Sequence, residues 1–331
     1  FVLFTESTST GSSTISVESK NGKKRTSLDE ALHTVWRMPV FISPVWEQNS
    51  RTLNPTSFHF HFISDKYKLK GCVSAQKGER EEMQDAHILL NDYTKHIPHL
   101  HPSIKVNVCK LSLYNYLYGL SFLFSGDVTN VEKEIRKTFI ETFKSLDEDF
   151  LHKASKNKPS WKDGTTAVSV LVINDTMYIA NLGDSKVRIN TYIEALPLTT
   201  DHSPSVYEER KRIQKAGGTV REGRVMGVLE VSRSLGDGPY KNHGVSCLPD
   251  IKRCQLTDDD RYLMVACDGL WKSFTMEESI KFVNNILDDS LSNGTKKRAI
   301  QFETACTKLT SEAVLRLSGD NVTVILTSIK S

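Results

Sequence analysis

The chain has 331 residues, with 43 Lys+Arg against 40 Asp+Glu for a formal charge of +3 at pH 7, and 38% of it is hydrophobic. At roughly 100–200 residues per domain this length holds one large domain or two small ones; the hydrophobic content excludes a mainly disordered chain, and the near balance of charge gives no bulk electrostatic reason to bind nucleic acid. The six cysteines, Cys72, Cys109, Cys247, Cys254, Cys267 and Cys306, form no CxxC pair, so they read as reduced thiols of a cytoplasmic or nuclear protein.

The first residue is Phe1 rather than Met, so the chain reads as a fragment or an incomplete gene product, and FVLF is too short for a signal-peptide apolar region. Residues 1–65 open Ser/Thr-rich, turn basic at Lys20, Lys23, Lys24 and Arg25, then carry an apolar patch with no clear period and end in FHFHF. Nothing in this head could bury a continuous face, and a poorly ordered extension is expected. Its aromatics Trp36, Trp46, Phe58 and Phe60 read equally as a docking patch or as sequence foreign to the fold.

From Lys66 the pattern becomes globular. Residues 67–72 and 86–90 are predicted strands, and 167–173 with 177–180 form a predicted hairpin about the turn Asn174-Asp175. Only 111–124 invites a membrane assignment, but it holds Ser112, Asn115 and Gly119 and falls short of the about 20 apolar residues a spanning helix needs. It reads as buried core or foreign sequence. Val131, Ile135, Phe139, Phe143, Leu146 and Phe150 recur at spacings of three and four, which predicts a long amphipathic helix capped by Thr129 or Asn130. A second helix is predicted over 204–216, with Ser203 as N-cap, Pro204 in the first turn and Gly217-Gly218 as its stop. Thr275 and Glu278 make a capping box opening a helix through Ile280, Val283 and Leu287, and a last helix through Phe302, Cys306 and Leu309 is expected to stop at Gly319. Hairpins interleaved with helices point to an α+β fold in which helices pack outside two stacked antiparallel β-sheets, a β-sandwich.

The chemistry collects where apolar strands meet an Asp. Asp184 follows the strand YIANLG, Asp268 follows YLMVAC, Asp320 with Asn321 opens VTVILT, and Asp85 precedes the Ala86 strand. Any one of these alone is an ordinary turn. Together they place acids at the ends of buried strands, where two carboxylates about 4 Å apart repel by roughly 4 kcal/mol at an effective dielectric of 20. A hard divalent cation removes that repulsion, and an all-oxygen set without a His/Cys cluster points to Mg²⁺ or Mn²⁺ rather than zinc. Arg80, Arg233 and Lys211-Arg212 are the basic counterparts; an arginine fork beside such a cluster can hold a phosphate for hydrolysis. No GxxxxGK[ST] or GxGxxG occurs, so nucleotide cradling has no support.

At these residues the chain resembles the metal-dependent (PPM, protein phosphatase 2C-like) serine/threonine phosphatases. The matching segments, in family order, are GEREEMQDAH at 78–87, DGTTA at 163–167, ANLGDSKV at 180–187, IQKAGGTV, LEVSRSLGD, PDI, ACDGLW and GDNVTV. The wording GEREEMQDAH, KDGTTA, YEERKRIQKAGG and CDGLWKSFT stands nearest to kinase-associated members. The resemblance implies one PPM-type domain over 66–331, a pair of Mn²⁺ or Mg²⁺ ions in a cleft at one end of the sandwich, and phosphomonoester hydrolysis by metal-activated water. Carried over by position, Asp268 and Asp320 resemble ligands of the first metal, Asp85 the acid orienting the water, and Arg80 the phosphate-binding arginine. Asp184 resembles the ligand of a weaker third ion, whose usual second ligand is here Lys272. Gln84 stands at a usual Glu position, a neutral oxygen near the second metal. The implied partners are phosphoserine and phosphothreonine proteins and a kinase or kinase-associated complex, with no nucleic acid, no membrane and a monomeric chain.

One segment departs from the pattern. The family's DGHGG segment should lie between Leu90 and Val131, supplying the Asp that bridges both metals and a His that protonates the leaving group. Nothing from 92 to 127 matches it; His96, His99 and His101 lack an Asp-Gly, and Gly126-Asp127 lacks the His. The DGHGG strand-helix segment is thus expected to be missing or replaced by an atypical 92–127 segment, and activity to be impaired. Three accounts stay open: a mis-spliced exon, a pseudophosphatase that binds phosphoproteins or a kinase, and an active enzyme with a rebuilt site.

Overall fold

A computed structural model describes residues 2–7, 17–18, 24–25, 67–89, 106–107, 131–292 and 298–330. In chain order the strands are β1 (Val2–Ser7), β2 (Val17–Glu18), β3 (Lys24–Arg25), β4 (Lys68–Gln76), β5 (Ala86–Leu89) and β6 (Val106–Asn107), followed by helix α1 (Val131–Lys156). Then come β7 (Gly164–Ile173), β8 (Thr176–Leu182), β9 (Lys186–Thr191), β10 (Ala195–Pro197), α2 (Tyr207–Lys215), β11 (Val220–Arg221), β12 (Arg224–Val225), β13 (Leu235–Gly236) and α3 (Gly238–Lys241). The chain finishes with β14 (Asp250–Gln255), β15 (Asp260–Ala266), α4 (Asp268–Trp271), α5 (Met276–Ser292), α6 (Arg298–Leu315) and β16 (Val322–Lys330).

Two antiparallel sheets carry the architecture. The first runs β14-β8-β7-β1-β5, with β6 and β13 also pairing with β7; the second runs β10-β9-β15-β16-β4. Strand β7 reads GTTAVSVLVI and is buried at every position, as its run of β-branched and aliphatic residues requires of a strand covered on both faces. Val168, Val170, Val172 and Ile179 of the first sheet share one core with Val187, Ile189, Leu263, Val265 and Ile325 of the second. Alternate residues of the second sheet, Tyr262, Met264, Val322, Val324 and Leu326, point the other way onto Val283 and Leu287 of α5 and Phe302, Cys306 and Leu309 of α6. Against the first sheet lies α1, whose Glu132 and Arg136 are within electrostatic reach of Tyr178 and whose Asp147 accepts from the Gly236 amide at 2.7 Å. The structure is therefore the expected α+β sandwich with helices outside.

Local expectations meet the structure unevenly. The β7–β8 hairpin turns at Asn174 with φ 56, and the α5 capping box closes through Thr275 N to Glu278 Oε2 at 2.8 Å and Glu278 N to Thr275 Oγ1 at 3.2 Å. Helix α2 begins at Tyr207 rather than 204, because Ser203 closes a turn first: its Oγ accepts from the Ser205 amide at 3.2 Å and its carbonyl from Val206 at 3.0 Å. Helix α6 ends at Leu315, short of Gly319, because Leu317 takes the left-handed position at φ 60 while Ser318 N bonds back to Ala313 O at 3.1 Å. Within the head, β1 is a strand between β5 and β7, with Thr5 opposite both Ala86 and Ala167. The cap at Thr129 or Asn130, the 111–124 run, His96, His99, His101 and Gly126-Asp127, and Trp36, Trp46, Phe58 and Phe60 lie outside the described residues. No described helix is long and apolar enough to cross a membrane, and Cys72, Cys247, Cys254, Cys267 and Cys306 are free thiols.

Candidate metal-phosphate site

The register of the second sheet brings the acids to one end of the sandwich. Ala266 at the end of β15 stands opposite Val324 of β16 and Lys186 of β9, and Val322 stands opposite Gln76 of β4. Asp268 follows β15 at the start of α4, Asp320 leads into β16, Asp184 precedes β9, and Asp85 closes the segment that leaves β4. Burial pushes the Asp85 carboxyl up to about 7, and the charges of Asp320 and Asp268 push the same way. Asp184 is likewise raised to about 7 by burial, then by Asp268 and Asp201. Asp268 thus acts on both Asp85 and Asp184, and Asp320 acts on Asp85.

Two cations answer part of that problem. Arg80 Nη2 donates to Asp320 Oδ2 at 2.8 Å, and Lys272 Nζ donates to the same oxygen at 2.9 Å while also holding Asp268 Oδ2. Burial would raise the Asp320 carboxyl, but these two donors hold it below the usual carboxylate range. The Lys272 ammonium gains charge stability in return: burial opposes it, yet Asp268 and Asp320 raise its pKa. Arg80, expected on a phosphate, here rests on a carboxylate.

Asn321 fixes the segment that carries Arg80 and Asp85. Only 2% exposed, its Oδ1 accepts from the amides of Gln84 at 2.5 Å and Asp85 at 3.3 Å, and its Nδ2 donates to the carbonyls of Lys77 at 2.8 Å and Glu82 at 3.0 Å. Backbone packs on backbone here. A Cβ on Gly78 (φ +63) would lie 2.0 Å from the Asp320 carbonyl, and one on Gly269 would lie 2.0 Å from that of Asn321, so both positions need glycine. Asp85 itself accepts from Thr323 Oγ1 at 2.8 Å. Gln84 enters the site through its backbone amide.

A second network backs Asp184. The Gly183 amide donates to His202 Nδ1 at 2.9 Å, His202 Nε2 lies 3.1 Å from Asp250 Oδ2, and Arg233 bridges Asp250 and Glu209 at 2.7 Å to each. Glu209 is buried and also accepts from Arg212 Nη2 at 2.7 Å and from Ser232. Arg233 and Arg212, basic counterparts of the acids in the sequence, both engage Glu209, and Lys211 sits 5.7 Å over the Tyr207 ring.

Sequence reasoning named Arg80, Asp85, Asp184, Asp268 and Asp320, and the fold gathers them at one end; Gln84 lies on the same segment. It missed the roles of Asn321, His202 and Glu209. For Asn321 a signal existed, its place directly after Asp320 at a strand entrance. The donor chemistry fits a hard divalent cation: half-buried or buried oxygen-only carboxylates whose charges raise one another's pKa. Among the described residues, however, no three His, Cys, Asp or Glu side chains are drawn together closely enough to hold an ion, and a lysine ammonium takes the oxygens of two of them.

Comparison with known proteins identifies the family. The family description Protein phosphatase 2C matches residues 70–322. The integrin-linked kinase-associated serine/threonine phosphatase 2C of Mus musculus is 47% identical over 286 residues, covering 80% of this chain and 73% of that protein. A probable protein phosphatase 2C 8 of Arabidopsis thaliana is 30% identical over 300 residues, covering 80% and 81%. Among solved structures, a C. elegans sex determining protein aligns with TM-score 0.60 at 25% identity, covering 86% of this chain and 69% of that one. The serine-threonine phosphatase 2C from Toxoplasma gondii aligns with TM-score 0.60 at 17% identity, covering 84% and 100%, and so shares the fold. By its sequence, its sandwich and the order of its segments, this chain belongs to the protein phosphatase 2C family.

Proposed function

We propose that this chain is a metal-dependent protein serine/threonine phosphatase whose turnover, lacking a DGHGG segment, is reduced. The observation that carries the reading is the convergence of Asp85, Asp184, Asp268 and Asp320 beside Arg80 at one end of the sandwich. Asp268 and Asp320 would hold a Mg²⁺ or Mn²⁺ ion, with a second ion near Gln84 and a weak third at Asp184. Such an ion supplies positive charge that polarises a phosphoryl oxygen and acidifies water. Arg80 offers its planar fork to a phosphate once it leaves Asp320. Asp85, steered by Thr323, orients a water and takes up its proton. Asn321 keeps Arg80 and Asp85 on one rigid segment, so both act from fixed positions.

The substrates on this reading are phosphoserine and phosphothreonine proteins, met in the cytoplasm or nucleus by a monomeric chain. Association with a kinase is proposed from the similar proteins whose name carries integrin-linked kinase. The catalytic domain is assigned to 66–331, behind a head, 1–65, that lends one strand to the first sheet. A second reading, a pseudophosphatase that captures phosphoproteins or a kinase without turnover, is favoured by Lys272 and Arg80 sitting on the two candidate metal ligands. Hydrolysis of a phosphothreonine peptide with and without Mn²⁺ separates the two: the first reading requires Mn²⁺-dependent phosphate release that a chelator stops, and the second requires binding with none.

A further inference from the structure

Lys272 lies one helical turn after Asp268, at the C-cap of α4, where its amide donates to the Asp268 carbonyl at 2.8 Å. Its ammonium bonds Asp268 Oδ2 and, at 2.9 Å, Asp320 Oδ2, and its charge also reaches Asp184. Three of the four clustered acids therefore face one monovalent cation supplied by the chain. Lysine is suited to leave such a place: it is a compact point charge on a flexible four-carbon stem, and this side chain is 45% exposed, with solvent on one side to receive it. Arg80 makes its own contact with Asp320, through Nη2 at 2.8 Å.

We propose that the Lys272 ammonium is the resident cation of this carboxylate cluster, holding Asp268 and Asp320 together in the metal-free protein, and that a divalent ion enters only by displacing it. The inference rests on the reading of these acids as metal ligands and specifies how their affinity is set. An ion bound at Asp268 and Asp320 and an ammonium on the same oxygens exclude each other by contact and by charge. A neutral side chain at 272 removes the competitor, and the repulsion left behind between the two carboxylates draws a divalent ion more strongly. The chain should thus need more Mn²⁺ than a variant without that charge.

The test uses the full chain stripped of metal with a chelator and titrated with Mn²⁺ by calorimetry. Lys272→Met is expected to tighten Mn²⁺ binding about tenfold or more, and Lys272→Arg, which keeps a cation, to stay near the wild-type affinity. A second measurement needs no variant: acetic anhydride labelling of the wild-type chain, read by mass spectrometry, should modify Lys272 more heavily once Mn²⁺ saturates the protein. This labelling decides the matter if Lys272→Met does not fold. Wild-type binding that Lys272→Met leaves unchanged or weakens overturns the proposal while the metal-phosphatase reading stands, and so does labelling of Lys272 that does not move with Mn²⁺. If neither wild type nor Lys272→Met binds Mn²⁺ at millimolar concentration, both readings fall together.

Discussion

Asn321→Ala is the sharpest test of how the site is held. The side chain makes four hydrogen bonds to the backbone between Lys77 and Asp85, at 2.5, 3.3, 2.8 and 3.0 Å. Each is worth about 0.5–1.5 kcal/mol net, and the freed amides and carbonyls are half-buried or exposed, so water recovers part of the loss. The sum is about 2–4 kcal/mol, and at roughly 2 °C per kcal/mol for a chain of this size the melting temperature should fall by about 4–8 °C. Loss should also be local. Hydrogen exchange at the Gln84 and Asp85 amides should quicken about tenfold or more, while β7 and β15 amides keep their protection relative to the new global stability. A melting temperature within about 1 °C of wild type, with unchanged exchange at 84 and 85, would refute the idea that Asn321 clamps this segment.

Acid stability should depend on Glu209. Although buried, its carboxyl is held well below its ordinary value of 4.5 by Arg212, Arg233 and Ser232, so the stability it contributes is complete above that value and is lost as pH falls below it. Asp250, lowered to about 2 mainly by His202 beside it and by Arg233, adds to the loss lower on the same scale. Thermal melts should therefore drop progressively from pH 5 to pH 2, and Glu209→Gln should flatten that drop while costing about 2–3 kcal/mol at neutral pH, because Arg212 loses its carboxylate partner and Arg233 keeps only Asp250; a Glu209→Gln profile parallel to wild type would sink this account. At the end of α6, Leu317 holds φ 60 while 76% exposed, so Leu317→Gly should raise stability by about 0.5–1 kcal/mol in a denaturant titration, and a loss would show that the leucine packs favourably.

What could be read from the sequence was local or motif-borne. The turn at Asn174-Asp175 and the Thr275/Glu278 box are each written within five residues, and both stand in the structure as read. The acids could be named because each lies beside a strand of unmistakable pattern. What escaped depends on partners far away in sequence. The bonds of Asn321 span more than two hundred residues, and nothing near Gln84 announces them. Arg212 and Arg233 read as basic counterparts of the strand-end acids because Glu209, the buried acid that engages both, reads on its own as one more charge on a polar helix. Strand β1 finds its place only through pairing with β5 and β7, more than eighty residues on. Leu317 in a left-handed position contradicts the preference for glycine, so the sequence points to Gly319 as the stop instead.

The central claim, that these clustered carboxylates serve a phosphatase, is tested most directly by phosphate release from a phosphothreonine peptide. The assay compares the 331-residue chain with its Asp268→Ala variant, with Mn²⁺ and with chelator. The account predicts release that requires Mn²⁺, disappears in Asp268→Ala, and runs about 10²–10⁴-fold slower than a family member with DGHGG, the usual cost of losing a general acid. Release by the wild-type chain no faster than by Asp268→Ala would contradict it.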